Sequence, residues 1–319
     1  MRDARLVESL DLDALEVGHH KLLLRMAEDG LGRPVRVPIL VCKGRRDGPV
    51  FGLTAALHGD ELNGIPVLHR LFKGLDPVTV RGTVVGVVVA NVPGLLRRQR
   101  RFDTGEDLNH LFPGDPFGTG AQIWAHRLLG RVVRHFDVLV DLHTASRGRV
   151  NSLYVRADMS HEVSSQMALL QRPQLIVDNP ARDGTLRGAA MDEGIPAITV
   201  EVGNPSRFQR EFIKSTVVGI RSVMRHFEVL GRARQPVTTP PPLVCSHSYW
   251  LRTERGGLLE VLPAPLQRFE KGELVARVSD AFGDVVQEIL APEAGVVVGK
   301  SVEPVSPTGA RILHLGVVA

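Results

Sequence analysis

Cysteine is scarce in this chain: two residues, Cys42 and Cys245, in 319. They stand far apart and in no C-x-x-C context, which excludes a disulfide framework and a cysteine zinc site and makes a reducing cytoplasm the expected compartment. Aromatic residues make up only 5%, too few to supply the stacking rings of a single-strand nucleic-acid binder. The formal net charge of +4 is spread along the chain, and only Arg97-Arg98-Gln99-Arg100-Arg101 clusters it. A basic surface or an anionic small substrate accounts for that charge, and no nucleic acid is expected. No apolar run reaches the roughly 18 residues of a membrane span. The first residues carry Asp3, Glu8, Asp11 and Asp13 where a leader would be basic and then apolar, so neither export nor membrane insertion is expected. The chain also lacks a G-x-S-x-G elbow, a G-x-x-x-x-G-K-[ST] phosphate loop and a G-x-G-x-x-G after a strand, which removes serine-hydrolase, P-loop and dinucleotide readings.

What is present is a large apolar fraction, 43%, enough for one large domain and a smaller one. Apolar runs bounded by turn residues recur at 50–57, 83–91, 137–142 and 197–202 and predict buried strands. Ala121 to Phe136 and Phe212 to Leu230 have helical spacing. Alternating strands and helices predict an α/β domain over 1–232 with a mostly parallel sheet flanked by helices. Residues 21–26 and 35–41 predict a hairpin at the sheet edge. Four prolines between 232 and 243 mark a linker, 233–242. Beyond it, the short runs at 256–262, 272–278, 285–290 and 294–299, broken by Gly and Pro, predict a small all-β domain over 243–319. Residues 283–298 are reminiscent of lipoyl or biotinyl carrier domains, but no lysine occupies a hairpin tip, so the region reads as a structural module.

Three strand ends carry chemistry. The first predicted strand runs into His58-Gly59-Asp60-Glu61-Leu62-Asn63-Gly64, an imidazole and a carboxylate three residues apart where the chain leaves the sheet, which is where open α/β folds bind ligands. Alone, this pair reads more simply as an ordinary histidine beside a carboxylate placed for a helix dipole. A second strand delivers His143 at the equivalent end, and three N/O ligands with one open position suit catalytic zinc. A third strand contains Glu201, and a buried carboxylate costs several kcal/mol unless something uses it. Beside a metal it would act as general base and acid; its structural alternative is a salt-bridged glutamate.

The string His58-Gly-Asp-Glu61-Leu-Asn-Gly, then Arg101-Phe-Asp-Thr-Gly-Glu-Asp107-Leu-Asn109-His110, then Asp141-Leu-His143-Thr, then Ile195-Pro-Ala-Ile-Thr-Val-Glu201-Val-Gly resembles the succinylglutamate desuccinylase and aspartoacylase family of zinc-carboxypeptidase-like deacylases. The resemblance spans residues 50 to about 205 and extends to the small β domain. It implies one zinc per chain at His58, Glu61 and His143, catalytic Glu201, and Asp107 as the carboxylate that fixes a ligand histidine's tautomer. It further implies Asn109 as a substrate-positioning group and an upstream arginine, read as Arg101, as oxyanion stabiliser. Two departures stand out. His110 replaces the arginine that usually follows Asp-Leu-Asn, and histidine cannot reproduce that bidentate fork; Arg147, Arg149, Arg182 and Arg187 are candidates to take over, with Arg149 assigned beside Asn109 and His110 to substrate binding. Asp60 stands where Asn is common and would add negative charge beside the metal.

The function these residues predict is hydrolysis of the amide bond of an N-acyl amino acid or similar small amide. A metallocarboxypeptidase would need an open groove, and a non-catalytic binding protein would have no use for Glu201. His and Glu ligands also suit cobalt, manganese or iron, and the sequence leaves homo-oligomer formation open.

Overall fold

The computed structural model describes residues 4–180, 184–231 and 240–318. Of the linker expected at 233–242, all but residues 240–242 lie outside the described residues. The predicted α/β architecture is present. A 14-stranded sheet runs, from one edge, through Arg5–Val7, Gly18–Glu28, Pro34–Lys43, Arg81–Val87, Arg46–Ala55, Val138–His143, Ala197–Val202, Leu153–Ala157, Leu175–Asp178, Leu243–Arg252, Arg311–Val318, Gly295–Ser301 and Arg268–Phe269, with Arg149–Asn151 pairing to Gly295–Ser301 off this path. Its centre, from Arg81–Val87 to Ala197–Val202, is parallel. Val138–His143 and Ala197–Val202 are buried at every position. Helices on both faces demand this, which is why these strands read as apolar runs without alternation.

Two apolar clusters sandwich the sheet. One is built with Val67 and Leu68 of the helix Gly64–Lys73, Met167 of Glu162–Gln171, and Ile213 and Ile220 of Arg210–His226. The other gathers Trp124 and Leu128 of Gly120–Arg131 with Leu186 and Ala189 of Leu186–Asp192. Burying each large side chain contributes about 1.5–3 kcal/mol, so the central strands are held from both faces. Thr119 starts the Trp124 helix with a reciprocal capping box to Gln122, and Trp124 donates its indole N–H to the Ala90 carbonyl, 2.9 Å.

The predicted N-terminal hairpin forms between Gly18–Glu28 and Pro34–Lys43. From Leu243 onward every element is a strand, but the main sheet does not stop there. Leu243–Arg252 pairs in parallel with Leu175–Asp178, so the C-terminal region continues the sheet on one side and folds a second sheet of Val285–Leu290, Leu274–Ser279, Gly257–Val261 and Val305–Ser306 on the other. No helix among the described residues is long and apolar enough to cross a membrane.

Candidate active site

The parallel registers align the chemistry-bearing residues. Asp141 lies opposite Thr54 on one side and Thr199 on the other, and Glu201 lies opposite His143 in one neighbouring strand and Tyr154 in the other. His58 follows the end of Arg46–Ala55 after Ala56, which adopts φ 52°, a left-handed conformation that costs a non-glycine residue about 1 kcal/mol and is found at functional turns. Backbone hydrogen bonds from Ala90 and Asn91 to the carbonyls of Ala55 and Ala56 hold this bend. Both glycines of the motif are steric necessities. A Cβ at Gly59 would meet the Gly94 carbonyl carbon at 2.1 Å, and one at Gly64 would meet the Cβ atoms of Ala55 and Leu142 at 2.8 and 2.9 Å. The helix then begins at Gly64 with no acidic residue in its first turn, so Glu61 is not placed to serve the helix dipole.

His58, Glu61 and His143 converge. They form a buried group whose ligand atoms all lie within 4.8 Å of one another and could hold a metal ion. The His58 and His143 Nδ1 atoms are 3.1 Å apart, with Glu61 oxygens 2.8 Å from the first and 3.0 Å from the second. Each ring turns its Nε2 outward to a carboxylate, His58 to Asp107 at 3.0 Å and His143 to Asp141 at 2.7 Å. A neutral ring donating its Nε2–H to that carboxylate presents a lone pair at Nδ1, so two lone pairs and a carboxylate face one point, the arrangement of a metal site with oriented ligands. Asp107 thus backs His58. Asp141 does the same for the other histidine, its second oxygen accepting from Thr54 Oγ1 at 2.6 Å. Its signal in the sequence was the i, i+2 spacing of Asp141 and His143, which puts both side chains on one sheet face.

Electrostatics point the same way. Burial works against charging His58, but Glu61 and Asp107 outweigh it and raise its pKa. Burial likewise opposes charge on His143, and Asp141 and Glu61 raise its pKa well above the usual histidine value. Glu61 is held far below the usual carboxylate range, the histidines overriding its burial. The site therefore demands a cation at its centre, whether proton or metal. In the metal-free protein the histidine protons contribute stability that is complete at acid pH and lost as pH rises through their raised pKa values, while metal binding needs them gone. The rise in Tm produced by a bound divalent metal should accordingly be small at acid pH and grow as pH rises through the raised histidine pKa values; calorimetric melts with and without added metal would refute this by giving an increment independent of pH.

The arginine expected at 101 is a correction. Arg101 is exposed and donates to the Gly105 carbonyl, 2.7 Å, whereas Arg100 lines the site. Its Nε reaches Asp107 at 3.0 Å, and one terminal nitrogen reaches Glu61 at 2.8 Å and Ser146 Oγ at 2.9 Å. Arg98, at φ 55°, and Phe102, buried against Trp124, bracket the turn that sends Arg100 inward and Arg101 out. Asp60 does not line the cavity. It is buried with Oδ1 unpartnered, and burial together with the Glu61 charge raises its pKa. A raised carboxyl pKa means stability lost as pH rises through it, so Asp60→Asn should keep its metal and melt no lower than wild type at neutral pH; a Tm several degrees lower would show that the charge itself is used.

These residues open into a cavity of about 430 Å³. Asn109 and His110 line it, and the Asn109 side-chain oxygen accepts from the Leu186 amide, 2.9 Å, tying the motif to the helix that carries Arg187. Arg187 is buried and its guanidinium is held by Asn179. Arg147 and Arg149 also face the cavity, while Arg182 lies outside the described residues. Glu201 is 9% exposed. Asn151 donates to it at 3.4 Å, and the Arg156 Nε forms an ion pair with it at 3.6 Å. Burial raises its pKa, Glu61 adding to the effect and Arg156 opposing it. Tyr154, Arg156, Trp250 and Arg311 also line the cavity. No local pattern marked them, because they reach it only through strand pairing across the C-terminal region.

Comparison with known proteins shows what the chain resembles. The chain is 28% identical over 285 residues to the N-alpha-acetyl-L-2,4-diaminobutyric acid deacetylase of Halomonas elongata, an alignment covering 85% of this chain and 81% of that protein. It is 28% identical to the succinylglutamate desuccinylase of Pseudomonas aeruginosa over 60% of this chain and 62% of that one. The crystal structure of a succinylglutamate desuccinylase/aspartoacylase from Rhodobacter sphaeroides superposes with a TM-score of 0.87 at 22% identity, covering 97% of this chain and 98% of the other. Residues 47–227 match the succinylglutamate desuccinylase/aspartoacylase catalytic domain, and the chain belongs to that family.

Proposed function

We propose that the protein is a zinc-dependent deacylase that hydrolyses the amide bond of an N-acyl amino acid. The observation that carries this reading is the convergence of His58, Glu61 and His143, with both histidines backed by carboxylates and Glu201 in register beside His143. Zinc held by those three residues would polarise the amide carbonyl and acidify a water molecule. Glu201 takes the proton from the attacking water and delivers it to the nitrogen of the leaving amine; its raised pKa suits both transfers. Arg100, fixed by Asp107 and Glu61, offers its guanidinium to the oxyanion that forms as the carbonyl is attacked. Asn109, His110 and Arg149 line the space for the remainder of the substrate.

Six arginines line the cavity, Arg100, Arg147, Arg149, Arg156, Arg187 and Arg311, against the carboxylates Glu61, Asp107 and Glu201. That balance favours an anionic N-acyl amino acid over a cationic one. Trp250 and Arg311 from the C-terminal strands form part of the wall, which argues against the open groove a carboxypeptidase needs. The test is amine release by zinc-loaded enzyme from N-acetyl and N-succinyl amino acids compared with release of a C-terminal residue from free peptides. Turnover of the acylated amino acids alone supports the deacylase, turnover of peptides alone replaces it with the peptidase, and zinc binding without any turnover favours a binding protein.

Arg100→Lys should lower kcat by about tenfold to a thousandfold with metal content retained, because a point charge replaces a fork that spans Asp107 and Glu61. An Arg101→Lys variant is the control. If it suffers equally, the assignment of Arg100 fails.

A further inference from the structure

We propose that Arg149 and Arg311 together form a receptor for a carboxylate of the substrate, built across the seam between the catalytic sheet and the C-terminal strands. The inference rests on the deacylase reading and specifies which feature of the substrate the site demands. Arg149 begins the short strand Arg149–Asn151, where it lies opposite Ser301. The residue before that serine, Lys300, lies opposite Leu313 of the strand that opens with Arg311. Both arginines line the cavity together with Trp250, and they are close enough for the Arg311 charge to act on Arg149.

The wall is built to hold a guanidinium. The Arg149 guanidinium lies over the Trp250 ring, 4.8 Å from its centroid, a cation–π contact. Trp250 is in turn stacked on His314, its cross-strand partner, at 5.0 Å and 11°. His314 is buried, held by Ser248 at 2.8 Å, and kept neutral by burial and by the surrounding arginines. A neutral ring beneath Trp250 adds no positive charge to repel the Arg149 guanidinium stacked above it.

Charge balance supplies the second argument. Arg100 is committed to Glu61 and Asp107, Arg156 faces Glu201 and Tyr154, and Arg187 is held by Asn179. Among the described residues no carboxylate lies within ion-pair distance of Arg149 or Arg311. Arg149 is half-buried, and burial together with the charges of Arg311, Arg100 and Arg252 weakens its hold on its proton. A desolvated cation beside like charges is costly, and an anion bridging the two guanidiniums removes that cost through charge-assisted hydrogen bonds. Arg147, on the exposed turn before Arg149, adds to the same field.

The test uses zinc-loaded enzyme and four compounds that share L-alanine as the amine: N-acetylalanine, N-acetylalanine amide, N-succinylalanine and N-succinylalanine amide. Wild type should prefer a carboxylate-bearing compound over its neutral counterpart by about ten- to a hundredfold in kcat/KM. Arg149→Gln and Arg311→Gln should each collapse that preference. Its loss between N-acetylalanine and its amide assigns the receptor to the amine-side carboxylate; its loss between N-succinylalanine amide and N-acetylalanine amide assigns it to the acyl side. An unchanged preference overturns the proposal, as does an equal loss on all four compounds, which would mean a purely structural role. If wild type cleaves none of them, the deacylase reading fails and melting curves judge the receptor. Carboxylate-bearing compounds that raise the Tm of wild type but of neither variant support it, and a rise that is absent from wild type or shared with the variants overturns it.

Discussion

Glu201→Gln is expected to lower kcat by about a hundredfold to ten-thousandfold, the usual span for removing a general acid–base group, while zinc content and KM stay close to wild type. The carboxamide has nearly the same shape and can still accept from Asn151, so the fold has no reason to change, and the buried position loses a charge rather than gaining one. What disappears is a base that can take a proton from water and return it to the amine. The wild-type pH–rate profile tests the same assignment from another side. Since burial raises the Glu201 pKa, and only the ionised form accepts a proton, activity should fall on the acid side at a pH above the ordinary carboxylate range, and that limb should be absent from the residual activity of the variant. Steady-state kinetics with metal analysis on both proteins decide the matter. A variant retaining more than about a tenth of wild-type kcat would show that Glu201 is the salt-bridged structural glutamate instead.

His143→Ala should abolish both zinc retention and amine release. It removes one of the two nitrogen ligands of the proposed metal site, and it also strands Asp141, a buried carboxylate that would keep only Thr54 as side-chain partner. An uncompensated buried charge costs about 3–5 kcal/mol, so the metal-free variant should melt below metal-free wild type. Asp141→Asn separates the two contributions. The amide oxygen can still accept the His143 Nε2–H, so the ligand survives, but its orientation and basicity suffer and zinc affinity should drop by about ten- to a hundredfold. Competition with a chelator measures this. Unchanged affinity in Asp141→Asn would reduce Asp141 to a packing residue, and stoichiometric zinc in His143→Ala would remove His143 from the ligand set.

The legible part of this molecule was the part governed by local pattern. Buried parallel strands read as apolar runs because both sheet faces are covered, so the strands carrying His58, His143 and Glu201 stood out, together with the strand-end positions of those residues. The strand Leu153–Ala157 escaped notice, although it carries Tyr154 and Arg156 and forms the other neighbour of Glu201. It is five residues long and begins two residues after the short strand Arg149–Asn151, so no long apolar run announced it. The choice of Arg101 over Arg100 failed for a related reason. Within Arg97-Arg98-Gln99-Arg100-Arg101 every spacing is similar, and only the left-handed turn at Arg98 and the anchoring of Phe102 in the core select which guanidinium points inward.

By itself the sequence determined the α/β class, the three strand ends bearing His58, Glu61, His143 and Glu201, and the change to an all-β region after the proline-rich stretch, because each depends on neighbours within a few residues. Tertiary structure alone decided that Arg100 rather than Arg101 enters the site, and that Trp250 and Arg311 share a cavity with Glu201 although they follow it by 49 and 110 residues. Strand pairing brings Trp250 and Arg311 to the cavity, and it joins distant segments, which no window of neighbouring residues contains.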